Sequence, residues 1–299
     1  MLSKKVKLIY NPAAGDRSFN SYLDKFLKQF QAAGFKVDIY RSMEPGDFGE
    51  GLEDIDQSYE AVIVAGGDGS ASEMVNLLQQ KEIDLPLGIV PAGTANDFAS
   101  FLGMTQNIEN SVKRILDWQI KEIDVGKVND QYFLNVCVGG IISQIAHGTE
   151  TEMKNRLGKV AYYLQGLREL PNIKSMQLEI ETSQKTIKGD FLGFFIFNSK
   201  DAGGFKNIAK LASIDDGLFD LLAVKTGNIL KLSSAAADLF NGKDIKNKNL
   251  IYLQDSYFKI TLKNDGKGKE QYCNIDGEKG PAFPLKIKLI PSAQKIFTA

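Results

Sequence analysis

The sequence predicts an α/β domain on a parallel sheet, followed by a mostly antiparallel, sandwich-like β domain. Three observations predict it. From residue 1 to about 124, short apolar strands alternate with helical stripes. Three of those strands end in loops of small or polar residues. From about 125 onward, strand patterns dominate and turn dipeptides separate many of them.

The first strand, Val6-Lys7-Leu8-Ile9-Tyr10, runs into Asn11-Pro12-Ala13-Ala14-Gly15. Phe19, Leu23, Phe26, Leu27 and Phe30 then form a helix stripe that stops at Gly34. Phe35 to Tyr40 reads as the next strand. Ala61-Val62-Ile63-Val64 is a buried strand that ends in Ala65-Gly66-Gly67-Asp68-Gly69-Ser70. Glu73, Met74, Val75, Leu77 and Leu78 follow at helical spacing. Leu87-Gly88-Ile89-Val90 is a third strand-to-loop unit, leading into Pro91-Ala92-Gly93-Thr94-Ala95-Asn96-Asp97-Phe98-Ala99. Thr94 is expected to cap the helix that begins there or to offer its hydroxyl to a phosphate. In the second half, strands are expected over 131–138, 176–182, 190–198, 218–224, 251–262, 270–276 and 284–290. Helices are expected over roughly 155–170 and 228–240.

In an open α/β sheet, the carboxyl ends of parallel strands line one crevice where ligands bind. Glycines around Asp68 let backbone N–H groups approach a ligand, and the following helix start favours a phosphate. A carboxylate beside phosphates points to Mg²⁺ or to a proton-transfer role; the plainer reading is a strand-to-helix turn. None of the loops spells a Walker A motif or the Gly-x-Gly-x-x-Gly dinucleotide fingerprint.

Composition narrows the class. The 299 residues are enough for two cores, since single cores stop growing near ~250–300 residues. Basic and acidic residues nearly balance, 36 against 37, so no strong pull toward nucleic acid is expected. Cys137, Cys273 and the single histidine, His147, make no zinc-ligand spacing, and reduced core cysteines suit a cytoplasmic protein. His147 reads as a residue near a polar loop rather than a catalytic group. The longest apolar runs, such as 191–197, span seven residues against the ~20 a transmembrane helix needs. No signal-peptide core precedes the first strand. The basic stretch 243–248 reads as a solvated loop, with membrane contact as the alternative. Residues 200–204 are expected to form a mobile loop.

Six segments in order resemble the bacterial soluble diacylglycerol/lipid kinase family, related to sphingosine and ceramide kinases. They are Asn11 to Gly15, Gly66 to Ser70, Gly93 to Ala99, Asp124-Val125-Gly126, Asp215-Asp216-Gly217-Leu218-Phe219-Asp220 and Ile275-Asp276-Gly277-Glu278. Gly-Gly-Asp-Gly alone is shared with NAD kinases and phosphofructokinases; the Gly93 to Ala99 segment and the two late acidic turns are more specific. Ser70 replaces the family's usual Thr and keeps the hydroxyl. Ser72 stands where the family often has Asn and shortens a polar arm.

The resemblance implies an NAD kinase/diacylglycerol kinase-like fold. Residues 1–124 would be the nucleotide-binding catalytic domain, with 291–299 returning to it, and 125–290 the lipid-substrate domain. It implies an ATP- and Mg²⁺-dependent lipid kinase, with diacylglycerol as the leading acceptor and phosphatidate as the product. Asn11, Pro12, Ala13, Ala14, Gly15, Ser42, Gly66, Gly67, Asp68, Gly69, Ser70, Ala71, Ser72 and Thr94 would hold ATP. Glu278 would be the general base, Asp68 would serve the catalytic Mg²⁺ or the water around the phosphates, and Asp124 would join a charge network. Asp216 with the carbonyls of Ser213 and Leu218 would bind a second Mg²⁺. The lipid would be met at the inner face of the membrane by peripheral contact, and a homodimer is compatible. An NAD kinase or sugar kinase, and a non-catalytic lipid-binding protein, remain open alternatives.

Overall fold

The computed structural model describes residues 4–94, 96–105, 107–140, 175–198, 214–228, 232, 247–263 and 270–299. The expected helix over 155–170, His147, the loop 200–204, Ser213 and Ala95 lie outside them, as do 243–246 of the basic stretch. Of the expected helix 228–240, residues 228 and 232 are described, and Leu232 is helical. The chain divides into two compact units, Met1–Ile123 with Ser292–Ala299, and Asp124–Pro291.

The first unit is the α/β half. Its elements are β1 (Lys4–Tyr10), α1 (Ser18–Ala32), β2 (Phe35–Arg41), β3 (Tyr59–Gly66), α2 (Asp68–Gln80), β4 (Leu87–Pro91), α3 (Asp97–Phe101) and α4 (Ile108–Leu116). The sheet order is β2-β1-β3-β4, and every pairing is parallel. Ile296 pairs in parallel with Leu87 beside β4. Burial on both faces explains why β3 and β4 read as continuous apolar runs. Phe19, Phe26 and Phe30 are the buried stripe of α1. Their rings continue an aromatic chain from Tyr10 through Phe35 and Trp118 to Phe297. Burying each such ring contributes about 1.5–3 kcal/mol.

Among the described residues, the second unit is mostly strand. After β5 (Ile120–Val128), which crosses the unit boundary in sequence, come β6 (Gln131–Phe133), β7 (Val136–Gly140), β8 (Met176–Thr182), β9 (Thr186–Phe197) and β10 (Phe219–Lys225). They are followed by β11 (Leu250–Asp255), β12 (Tyr257–Leu262), β13 (Tyr272–Ile275), β14 (Glu278–Ala282) and β15 (Leu285–Phe297). All the registered pairs in this unit are antiparallel. Strand β9 is the hub: β8 flanks its first half, while β7 and β10 flank its second half on opposite sides. A core of Phe133, Cys137, Phe191, Phe194, Ile196 and Phe219, among others, fills one side of these strands.

The expected fold class is thus the observed one, with local differences. The run 131–138 is interrupted at Leu134 and Asn135, and 251–262 is cut at Ser256, where Asp255 Oδ1 accepts the N–H of Tyr257 (3.1 Å). An additional strand, β14, forms over Glu-Lys-Gly-Pro-Ala. Its Gly and Pro hide it in the sequence, and its place at the sheet edge tolerates them.

Candidate active site

Strand β1 delivers Asn11 to a tight turn. Its N–H donates to the Ala65 carbonyl (3.1 Å), and its Oδ1 accepts the N–H of Ala13 (2.8 Å). Asn20 Nδ2 ties the Pro12 carbonyl to α1 (3.0 Å). Gly15 adopts φ +51°, and a Cβ there would lie 2.4 Å from the Ala92 oxygen. The 11–15 loop therefore packs on the backbone of the 92–93 loop, an approach only glycine permits.

The turn after β3 meets the same loop. A Cβ on Gly93 would lie 2.3 Å from Gly67 Cα, so the two glycines pass backbone to backbone. Gly67 is the N-cap of α2 and offers no side-chain hydrogen bond to it. The helix's positive end is thus not capped by its N-cap residue, the arrangement that suits a phosphate. Asp68, the first residue of α2, accepts the Phe98 N–H on Oδ1 (3.0 Å). Asn96 is buried in the left-handed region at φ +51°. Its Oδ1 accepts the Gly93 N–H (2.9 Å) and its Nδ2 donates to the Gly93 carbonyl (2.7 Å).

These contacts correct the capping expectation. The N-cap of α3 is Asn96, not Thr94, because the Asn side chain folds back onto Gly93 and the Asp68 carboxylate serves the helix. Thr94 is exposed. Ser42 follows β2; its N–H donates to the Tyr10 carbonyl (3.0 Å) and its hydroxyl to the Glu44 carbonyl (3.2 Å). Asn11 to Gly15, Ser42, Gly66 to Ser72 and Thr94 therefore all lie at or just beyond the carboxyl ends of the parallel strands.

In the second unit, Asp124 is buried and organises the acidic turn. Its N–H donates to the Ile214 carbonyl (2.7 Å), its Oδ2 accepts the Gly217 N–H (2.8 Å), and its carbonyl accepts Asn198 Nδ2 (2.8 Å). Asp216 Oδ1 accepts the Leu218 N–H (3.0 Å). Two residues on, Asp220 is fully buried. Burial pushes its carboxyl up to about 6 against the Tyr252 and Gln254 hydrogen bonds, and the nearby Asp216 charge adds to the rise. Carboxylate and main-chain oxygens are the donors a hard cation such as Mg²⁺ takes. Among the described residues, no three His, Cys, Asp or Glu side chains gather as a metal group. A cation at this turn would therefore rest on main-chain carbonyls as well as Asp216.

Glu278 is exposed as the first residue of β14, where it pairs with Ile275 of β13. Asp276 (φ +50°) and Gly277 (φ +99°) make the two-residue turn between them, the left-handed pair that Asp-Gly favours in hairpins. The Asp276 carboxylate accepts three backbone N–H groups: Leu134 (2.7 Å) on Oδ2, and Asn135 and Val136 (2.9 Å each) on Oδ1. Its own N–H donates to the Val136 carbonyl (3.0 Å). The Gly277 N–H donates to Asn274 Oδ1 (3.0 Å). The hairpin that carries Glu278 is thus fixed at its base.

Residues 5–128 match the diacylglycerol kinase catalytic domain, and residues 136–298 match the YegS C-terminal NAD kinase beta sandwich-like domain. A diacylglycerol kinase of Bacillus subtilis (strain 168) is 31% identical over 283 residues, which is 94% of this chain and 92% of that protein. The chain belongs to the diacylglycerol kinase family. A diacylglycerol kinase of Staphylococcus saprophyticus is 29% identical over 298 residues, 99% of this chain and 96% of that one. The crystal structure of a diacylglycerol kinase from Bacillus anthracis str. Sterne superposes with a TM-score of 0.79 at 28% identity, covering 99% of this chain and 97% of that one. This diacylglycerol kinase family member is therefore a phosphotransferase of the lipid kinase class, with ATP as the co-substrate its family implies.

Within the units of this kinase, the structure ties down residues that sequence reading passed over. Asp276 read as half of a turn, yet it clamps the 134–136 backbone. Asn198 and Asn274 were ordinary polar residues in the sequence, and both are buried and bonded to main chain; Asn96, read as a polar group of the Gly93 to Ala99 loop, is likewise buried and bonded to Gly93. The one available signal was a polar residue at the end of an otherwise apolar run. Ser213, the third member of the expected Mg²⁺ set, lies outside the described residues. Among the described residues, no helix is long and apolar enough to cross a membrane.

Proposed function

We propose that this protein transfers the γ-phosphoryl group of ATP to the free hydroxyl of diacylglycerol, giving phosphatidate. The observation that carries the reading is the exposed Glu278 on a hairpin fixed by the three N–H groups bound to Asp276. A general base must be held still while its carboxylate stays reachable. Glu278 takes the hydroxyl proton as transfer proceeds, since a carboxylate is too weak a base to remove it beforehand. Asn11 to Gly15, Ser42, Gly66 to Ser72 and Thr94 cradle the nucleotide phosphates with main-chain N–H groups and hydroxyls. Asp124 holds the acidic turn through Gly217. Asp68 would hold Mg²⁺ or the water around the phosphates, where the ion would supply the charge neutralisation that phosphoryl transfer needs; Asp216 with the carbonyls of Ser213 and Leu218 would hold a second Mg²⁺ that orders the fold near the site. The protein would work from the cytoplasm, meeting its lipid at the membrane surface by peripheral contact.

The test is transfer of label from γ-labelled ATP into mixed micelles carrying one lipid each. Diacylglycerol, monoacylglycerol, phosphatidylglycerol and a sphingoid base would be the arms, with NAD as a soluble acceptor. A labelled product with diacylglycerol is expected. Label in NAD alone, or in no acceptor despite ATP binding, would overturn the reading.

A further inference from the structure

Leu134 and Asn135 form the break between β6 and β7, and all four of their main-chain groups are taken. Their N–H groups go to the Asp276 carboxylate. Their carbonyls go to Asn198: that of Leu134 accepts Nδ2 (3.0 Å), and that of Asn135 accepts the Asn198 N–H (2.9 Å). The same Nδ2 also donates to the Asp124 carbonyl (2.8 Å). Asn198 directly follows β9 and is 1% exposed. Two carbonyls facing one end of the amide fix its orientation, since only the NH₂ end can donate.

This amide bridges a split in the sheet. The β5–β6 ladder runs from Val128 opposite Gln131 to Gly126 opposite Phe133. Continued by two residues, it would set Asp124 opposite Asn135. Instead the Asp124 N–H donates to the Ile214 carbonyl, and the Asn135 N–H turns to Asp276. Asn198 Nδ2 ties the two segments together where the ladder has ended.

Each side of the bridge carries one part of the proposed chemistry. On one side, Asp124 holds the acidic turn through Ile214 and Gly217. On the other, Asp276 clamps the 134–136 backbone and begins the two-residue turn into Glu278. A run of hydrogen bonds thus leads from the acidic turn through Asp124, Asn198, Leu134 and Asp276 to the Glu278 hairpin. All of it lies within the second unit. A reacting group misplaced by about 1 Å can lose about a hundredfold in rate.

We infer that Asn198 is a positioning residue for Glu278: its amide sets the hairpin that carries the base against the acidic turn. Buried as it is, Asn198 acts through Glu278 rather than on the lipid. The inference rests on the lipid kinase reading above.

The experiment is a double-variant cycle with Asn198→Ser and Glu278→Gln. It reads kcat and KM for diacylglycerol in mixed micelles, ATP affinity by titration calorimetry and the folded fraction by urea unfolding. Serine keeps a single hydroxyl donor, so it cannot serve both carbonyls. Asn198→Ser is expected to lose about ten- to hundredfold in kcat, with the lipid KM and the ATP affinity within about threefold of wild type. The double variant is expected to be no slower than Glu278→Gln alone, because a misplaced base and an absent one are the same defect. A folded Asn198→Ser protein with wild-type kcat would overturn the inference and leave Asn198 a structural residue. So would losses that multiply in the double variant, since Asn198 would then act apart from Glu278. Asn198→Asp, which keeps the shape and loses the NH₂ group, goes through the same cycle with the same outcomes and decides if Asn198→Ser does not fold. Wild-type transfer to no lipid would instead overturn the kinase reading itself, and this inference with it.

Discussion

Asp68 Oδ1 accepts the Phe98 N–H at 3.0 Å, so the first residue of α2 holds the first turn of α3. The carboxylate thus has a scaffold role beside the chemical one proposed for it. The two roles separate by substitution. Asp68→Asn keeps an oxygen for Phe98 and removes the charge; Asp68→Ala removes both. Asp68→Ala is expected to lose about 1–3 kcal/mol in thermal or urea unfolding. Asp68→Asn should stay within about 1 kcal/mol of wild type while its turnover falls at least tenfold.

Gly93→Ala should damage nucleotide binding through backbone contact alone. The added Cβ would sit 2.3 Å from Gly67 Cα and 2.8 Å from Asn96 Oδ1, so two loops must part. Titration calorimetry with ATP is expected to show affinity reduced at least tenfold. Gly217→Ala is the control: it has open space but φ +75°, so it should cost about 1 kcal/mol of stability without weakening ATP binding.

Asp276→Ala strands the N–H groups of Leu134, Asn135 and Val136. Each lost bond to a carboxylate contributes about 1.5–3 kcal/mol in isolation, and partial access of water reduces the sum. A loss of about 3–5 kcal/mol in urea unfolding is expected, large for one surface-proximal turn.

Asp220 gives stability a pH dependence whose sign is fixed. Its carboxyl lies near 6 in the folded protein against 3.8 unfolded, so between those values the folded state holds the extra proton. Its contribution is fully present below about pH 4 and is lost as pH rises through about 6. Asp220→Asn keeps an oxygen for the Tyr252 hydroxyl and carries no charge to bury. Without divalent cation, the variant should match wild type near pH 4. It should exceed wild type by up to about 3 kcal/mol above pH 7 in urea unfolding.

The fold class was legible because burial leaves a mark on composition. Ala61 to Val64 and Leu87 to Val90 are apolar on both faces, as parallel strands covered on both sides must be. The stripe from Phe19 to Phe30 gave α1 for the same reason. The breaks were not legible, since their causes lie far along the chain. Strand 131–138 is interrupted where the 134–136 N–H groups turn to Asp276, 140 to 142 residues away. β14 was missed because Gly280 and Pro281 are poor strand formers that an edge position tolerates. At the candidate site, the glycine and carboxylate motifs were readable as strand-end chemistry. Asn198 carries no local pattern, because its main-chain partners lie 64 and 74 residues away, whereas Asn96 and Asn274 bond to Gly93 and Gly277 three residues along, as turn asparagines do.

The most direct test of the central claim is label transfer from γ-labelled ATP to diacylglycerol by wild type and Glu278→Gln, with ATP affinity measured on both. Glu278 is exposed and Gln nearly isosteric, so the variant should fold and bind ATP as wild type does. The account predicts product with wild type and a fall of at least a hundredfold with Glu278→Gln. Equal transfer by the two proteins would remove Glu278 from the reaction and contradict the account.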